Sequence, residues 1–377
     1  MVKFDEFFDM LPNNTLSRDK LNDQYGEYQN IHYGDVLIKY PYCLDCGEND
    51  IPYVNGNVRF NTTQIKDGDV IFADTAEDDT VGKCVEMMNV GDRKIVSGLH
   101  TYLCRPKFAI ASGYLGYFLN SNHYHNQLLP YIAGSKVSSV NRASIARTLI
   151  FFPSALSEQR RIASILSSAD KVIDSTQKLI AKYKSIKQGM MEDLLKPKEG
   201  WKKVKLGEVG DFYVGGDVDK NSYSPYPTID CKFPIYANAL VREGIYGYSS
   251  KYEFDKEAVT ITGRGDVGKV FYRAPYFSTI IRLITLIPND SEINVRYLSY
   301  AMSRINFIIE STGVPQLTAP QAKMYEVFIP DFSEQCRIAS ILSSIDKKIE
   351  SEEKVLEKYK NIKKGLMEKL LKEEEIL

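Results

Sequence analysis

Apolar and polar positions follow two different rhythms along this chain, and each rhythm occurs twice. Up to residue 156 the apolar residues come in short runs separated by turn-forming pairs. Asp35-Val36-Leu37-Ile38 and Asp69-Val70-Ile71-Phe72 each begin at a Gly-Asp step, while Asn13-Asn14, Asn55-Gly56-Asn57 and Asp67-Gly68 mark turns. This pattern predicts a mixed, mainly β unit with strands at both runs. A helix is expected over residues 114–129, where Leu115, Phe118 and Leu119 fall at helical spacing, and a closing strand over 149–152 stops at Pro153.

At Ser157 the period changes. Ser157 followed by Glu158 and Gln159 reads as a helix start, and Ile162, Leu166, Ala169, Ile173, Thr176, Ile180, Tyr183, Lys187, Met190 and Leu194 then step by three and four. That is a heptad seam with one charged intrusion, Lys187. Forty residues of helix extend about 60 Å, and Pro197 and Gly200 end the run. The whole stretch then returns 176 residues later: 157–196 and 333–372 are identical at 27 of 40 positions. The second seam runs Ile338, Leu342, Ile345, Ile349, Glu352, Leu356, Tyr359, Lys363, Leu366 and Leu370, with Lys363 at the position of Lys187.

Between the two helices the first rhythm reappears. Strands are predicted over 246–248, 258–262, 269–272 and 279–287, a helix over 295–309 and a closing strand over 327–330. Gly82-Lys83 parallels Gly268-Lys269, and Gly134 parallels Gly313. The chain therefore divides into a unit over 1–156, a helical spacer over 157–200, a second unit over 201–332 and a second helical spacer over 333–377. The fold class is α+β: two β-rich units separated by two long helices. The first helix reaches the second unit across about five residues, and the second helix leaves that unit directly. If the two seams pair, the helices run antiparallel as a coiled coil, with one unit at each end and pseudo-two-fold symmetry.

Composition changes this picture little. With 377 residues, 44% hydrophobic and 26% charged, the chain is long enough for two or three soluble domains, and no run approaches the roughly 18 apolar residues of a membrane helix. The short, acidic N-terminus lacks a signal-peptide core, which points to the cytoplasm. Six scattered cysteines suit free thiols; Cys43 and Cys46 form one C-x-x-C pair, without the second pair a zinc site needs. Basic and acidic residues number 14 and 18 over 1–156, 9 and 6 over 157–200, 15 and 15 over 201–332, and 10 and 10 over 333–377. No segment is a strongly basic module, so contact with nucleic acid requires locally arranged charge or a positive field supplied by partner subunits.

Catalytic signatures are scarce. Gly263-Arg264-Gly265-Asp266-Val267-Gly268 fits G-x-G-x-x-G, but a β pattern follows it, so no helix N-terminus stands ready for a pyrophosphate and the segment reads as a glycine-rich turn between strands. There is no Walker loop and no Asn/Asp-Pro-Pro-Tyr/Phe signature of an amino-methyltransferase. Glu352-Glu353-Lys354, the only E-x-K triplet, lies in mid-helix. His123 and His125 flank Tyr124 without a placeable partner. Asp74, Glu77, Asp78 and Asp79 follow a strand and read as a solvated loop or helix start, although acidic groups can accept from cytosine in the major groove. Many of the 25 tyrosines sit in polar loops, among them Tyr40, Tyr42, Tyr223, Tyr226, Tyr236, Tyr246 and Tyr248. With Lys39, Lys220, Asn221, Asn238, Arg242 and Lys251 nearby, two readings stay open: contact with nucleic acid, or half-burial on small β units.

The order unit, helix, unit, helix, with an apolar-Pro segment before Glu-Gln-x-x-Ile-Ala-x-Ile-Leu at 153–166 and again at 330–342, resembles the specificity subunit of type I restriction-modification systems. Trp201-Lys202-Lys203-Val204-Lys205-Leu206-Gly207-Glu208 resembles the opening of a target recognition domain. Gly263-Arg264-Gly265-x-x-Gly268 and Gly313-Val314-Pro315-Gln316-Leu317 resemble its inner motifs. The first unit departs from the pattern, lacking both the opening tryptophan and the Gly-Arg-Gly run. The resemblance implies a non-catalytic reader of double-stranded DNA. Each unit would take one half of a bipartite site, and the helical pair would set the gap and dock two modification (methyltransferase) subunits, which restriction subunits join. No cofactor is expected on this chain; S-adenosylmethionine, ATP and magnesium would sit on the partners.

Candidate DNA contacts are Lys39, Tyr40, Tyr42, Lys83, Arg105 and Lys107 in the first unit. In the second they are Lys220, Asn221, Tyr223, Tyr236, Asn238, Arg242, Arg264, Lys269 and Gln316. Ile162, Leu166, Ile173, Ile180, Tyr183, Ile338, Leu342, Ile349, Leu356 and Tyr359 are the seam. The alternative is an interaction scaffold whose β-rich units bind protein or carbohydrate, which a gel shift at low salt would separate from a DNA reader.

Overall fold

The computed structural model describes all residues except 57, 59, 61, 62, 135, 308–315 and 373–377. The chain forms two compact units, Met1–Gln177 with Lys354–Leu377, and Lys178–Glu353. Their boundaries cut both long helices near the middle, so each unit contains half of each helix.

In the first unit, β1 (Phe8–Leu11), β2 (Cys43–Asp45), β3 (Val70–Ala73), β4 (Cys84–Met88) and β5 (Thr101–Pro106) form a five-stranded sheet in the order β1-β5-β3-β4-β2. All pairs are antiparallel except β2 with β4. The sheet is covered on both faces. One core gathers Phe4, Phe7, Phe72, Tyr114, Phe118 and Ile162; the other gathers Ile31, Val36, Leu44, Ile71, Val85 and Leu103. Alternating side chains of β3, Phe72 and Ile71, point into opposite cores, which explains why this run is apolar throughout. The C-x-x-C pair is divided in the same way, Cys43 against the first core and Cys46 inside the second.

Two expectations for this unit are corrected. Residues 33–38 form a helix, α1 (Tyr33–Ile38), rather than a strand. The His32 ring caps it by accepting from the Gly34 N–H, and an apolar run as short as Val36-Leu37-Ile38 suits a turn of helix as well as a strand. The segment 114–129 breaks into α2 (Tyr114–Leu119) and α3 (Asn122–Leu128). Asn120 turns back to bond the Gly116 and Cys84 carbonyls, and Ser121 then caps the second helix from outside.

In the second unit, β6 (Gly210–Val214), β7 (Ala258–Ile261), β8 (Val270–Arg273) and β9 (Ile284–Pro288) form an antiparallel sheet in the order β6-β9-β7-β8. A smaller sheet holds Tyr223–Ser224, Ile245–Ser249, Phe233–Tyr236 and Ser278–Thr279. The glycine-rich segment is the turn between β7 and β8, with Gly265 and Gly268 in the left-handed region that favours glycine. The predicted strand 279–287 is interrupted, because Ile281 and Arg282 adopt φ of 55° and 60°. The helix expected over 295–309 is α4 (Val295–Ser303); residues 308 and 309, and Gly313, lie outside the described residues.

Each unit closes alike. Val2–Lys3 pairs with Leu149–Ile150, and Lys202–Lys205 pairs with Glu326–Ile329, in both cases joining the start of the unit to the strand just before a long helix. The first long helix is Leu156–Leu194 and the second Phe332–Leu370. Within the first unit Ile162 and Leu166 share a core with Leu366, Met367, Leu370 and Leu371, and Asp170 meets Lys363 at 2.6 Å. Within the second, Leu194 and Leu195 share a core with Ile338 and Leu342, Lys187 meets Asp346 at 2.6 Å and Lys184 meets Glu353 at 2.7 Å. Numbers rise on one helix as they fall on the other, so the pairing is antiparallel in each unit.

Candidate nucleic-acid interface

One backbone frame recurs in both units. In the first, Ala73 donates to the Lys83 carbonyl (2.8 Å) and accepts from the Gly82 N–H (2.9 Å); in the second, Thr262 donates to Lys269 (2.9 Å) and accepts from Gly268 (2.8 Å). The next residue in each case, Asp74 or Gly263, accepts from a returning segment through the N–H of Val140 or Leu317, both at 2.9 Å. Beside that bond Ser139 pairs with Thr75, and Gln316 with Arg264. Across the sheet Phe72 pairs with Tyr102, and Ile261 with Ile284. Two residues before those partners stand His100, at φ 52°, and Arg282, at φ 60°. Thr75, His100 and Ser139 thus match Arg264, Arg282 and Gln316.

The side chains on this frame differ. In the second unit Arg264, Arg282 and Gln316 line a cleft of about 170 Å³ with Val214 and Thr318. Asn238 fixes the rim by donating to the Ile281 carbonyl (2.5 Å) and accepting from the Gly263 N–H (2.8 Å). Among the described residues no carboxylate engages either guanidinium. In the first unit Asp74 accepts from Thr75 (2.7 Å) and lies 3.2 Å from His100 Nδ1, while Tyr33 meets the imidazole edge-on. Glu77, Asp78 and Asp79 are exposed beside this cluster, and the Asp78 carboxylate accepts from the Thr80 N–H.

The remaining candidates are dispersed. Arg242 is exposed on a left-handed turn with Glu243; behind it the side chain of Arg273 lies 3.7 Å from the Tyr236 ring, bonded to Thr260 (2.9 Å) and the Glu243 carbonyl (2.8 Å). Arg273 is only 2% exposed, and burial pulls its pKa down. Lys220 and Asn221 are exposed, Tyr223 is half-buried against Tyr246, and Lys269 is exposed.

In the first unit Tyr40 is buried in the core, and burial pushes its hydroxyl pKa up. Lys83 reaches the Leu37 carbonyl (2.7 Å), Arg105 grips buried Asp69 with two bonds of 2.7 Å, and Lys107 bonds the Asp5 carbonyl (2.9 Å). Lys39 is exposed and bonds the Asp50 carbonyl. Thr75, His100, Ser139 and Arg282 escaped the sequence reading. The Gly82-Lys83 and Gly268-Lys269 parallel was the signal that leads to them once strand register is known.

The repeated helix motif has a structural explanation. Gln159 and Gln335 are both 1% exposed. Gln159 accepts from the Ala111 N–H (2.8 Å) and donates to the Pro153 carbonyl (2.7 Å). Gln335 accepts from the Asn294 N–H (2.9 Å) and donates to the Pro330 (3.0 Å) and Glu292 (3.1 Å) carbonyls. Each glutamine ties the start of a long helix to the loop entering α2 or α4.

The two seam lysines are also accounted for. Lys363 pairs with Asp170, which accepts from the Tyr117 hydroxyl (2.8 Å); Lys187 pairs with Asp346, which accepts from the Tyr300 hydroxyl (2.5 Å). Tyr42 adds its ring, 4.5 Å from Lys363 Nζ. Among the seam residues Ile162, Leu166, Ile180, Ile338, Leu342 and Ile349 are buried, and Ile173, Tyr183, Leu356 and Tyr359 half-buried.

Comparison with known proteins agrees with this architecture. A putative type I specificity subunit of Mycoplasma pneumoniae is 28% identical over 210 residues, covering 55% of this chain and 57% of its own length. A second from the same organism is 30% identical over 175 residues, 44% of this chain and 52% of its length. The chain thus spans little more than half of these two relatives. The putative MjaX specificity subunit of Methanocaldococcus jannaschii is 28% identical over 337 residues, covering 81% and 77%. The crystal structure of a type I restriction-modification S subunit from M. genitalium shares the fold, with a TM-score of 0.67 at 18% identity over 98% of this chain and 95% of that one. The family described as "Type I restriction modification DNA specificity domain" matches residues 1–184 and 198–361, which is nearly the full length, and the chain belongs to that family.

Proposed function

We propose that this chain is a non-catalytic DNA-reading subunit of a type I restriction-modification assembly in the cytoplasm. Residues 1–156 and 201–332 each read one half of a bipartite site, and the paired helices set the gap and receive two modification subunits, through which restriction subunits join. The observation that carries this reading is the recurring frame. Two units hold the same hydrogen-bonded turn and returning segment but dress it with different polar groups, as two readers of different half-sites should. S-adenosylmethionine, ATP and magnesium are assigned to the partners. Among the described residues no helix is long and apolar enough to cross a membrane.

The test is to express the chain with a modification subunit in a methylation-free host and to map the modified bases. A two-part motif with a fixed gap is expected; a single continuous motif, or none, refutes the proposal. A gel shift at low salt, with and without the modification subunit, checks binding directly.

A further inference from the structure

We propose that Thr75, His100 and Ser139 in the first unit and Arg264, Arg282 and Gln316 in the second are equivalent specificity positions, and that the second set reads guanine and adenine edges. The inference rests on the DNA-reading role and adds to it the positions and the chemistry. Hydrogen bonding and strand register alone establish the equivalence, one position at a time.

Three features mark the second set as readers rather than scaffold. Ile281 and Arg282 both hold left-handed backbone, a conformation that costs of order 1–3 kcal/mol per residue and persists where the surroundings enforce it. The enforcement is visible: the Ile281 and Arg282 N–H groups donate to Gly216 and Gly215, each at 2.8 Å, while Asn238 holds the Ile281 carbonyl. The Arg282 side chain is nevertheless exposed, so this restraint presents it instead of burying it. Arg264 and Arg282 share a cleft with Gln316 and meet no carboxylate among the described residues. A guanidinium fork matches guanine O6 and N7, and a carboxamide matches adenine N6 and N7. The first set contains no fork. Its imidazole and hydroxyls, two of them gathered on Asp74, make single hydrogen bonds, so its half-site is read by different base-edge groups.

The experiment compares wild type with Arg282→Ala, Arg282→Lys and His100→Ala, each expressed with the modification subunit and mapped for modified bases. Arg282→Ala should relax one G·C position in one half-site, with a loss of discrimination of roughly 5- to 150-fold there, and leave the other half unchanged. Arg282→Lys should relax the same position, because an ammonium cannot reproduce the fork, whereas a phosphate contact would tolerate it. His100→Ala should relax only the opposite half-site. The proposal is overturned if Arg282→Lys retains the full motif, or if Arg282→Ala weakens every site uniformly without changing the motif. It also falls if His100→Ala and Arg282→Ala relax the same half. A wild-type chain that yields no bipartite motif would sink the DNA-reading role itself, a result separable from the others.

Discussion

Replacing Gln335 by alanine tests what the repeated Glu-Gln motif does. Its carboxamide is buried and makes three hydrogen bonds to backbone: the Asn294 N–H and the carbonyls of Pro330 and Glu292. Alanine leaves the amide without its partner and deprives both carbonyls of a donor. An orphaned buried group costs about 1–3 kcal/mol, and partial relaxation keeps the whole at about 2–4 kcal/mol. Gln159→Ala, which orphans the Ala111 N–H and deprives the Pro153 carbonyl of its donor, should cost a similar amount in the first unit. Urea unfolding gives the total, and hydrogen exchange locates it, with Asn294 or Ala111 exchanging faster in the respective variant. The neighbouring Glu158, exposed and paired with Arg161, serves as the control, and Glu158→Ala should leave the transition where it is. If Gln335→Ala and Gln159→Ala unfold like wild type, the clamp is not what the motif encodes.

Three other outcomes are expected. Asp170→Ala strands Lys363, whose side chain is 18% exposed, and should cost about 1–3 kcal/mol by urea unfolding, much of it recovered when Lys363→Met is added. Glu86 accepts from the Gly113 and Gly116 N–H groups, yet burial outweighs those bonds and pushes its pKa up to about 7. A carboxyl with a raised folded pKa is penalised once ionised. Stability contributed by this group should therefore fall as pH rises from about 4.5 to about 7, by about 3 kcal/mol in all, and then level; Glu86→Gln should flatten that part of the pH–stability curve. Arg273→Ala removes the cation stacked on Tyr236 and the donor to the Glu243 carbonyl. It should lower stability by about 2–4 kcal/mol and speed amide exchange in the Arg242–Glu243 turn.

The sequence by itself determined the periodic and repeated features of this protein. A heptad seam needs only residues three and four apart, so the repeated stretches 157–196 and 333–372 were legible as helices to within two residues at each end, and linker length was enough to predict that the two seams, if they pair, run antiparallel. The same seam exposed Lys187 and Lys363 as anomalies but not their partners. Asp170 and Asp346 lie on the opposite helix and the two tyrosines on short helices far away in sequence, and only packing brings them together. Arg264 and Gln316 carried local motif signals, whereas Arg282 and His100 became visible only through strand register, which is a relation between distant segments. Tyr40 shows the converse, because a tyrosine in a polar-looking loop gives no local sign that the second core of the sheet will enclose it. Local periodicity fixes elements because neighbours in sequence share a face. Burial and polar partnership are settled by which faces meet, and that was decided in the tertiary fold.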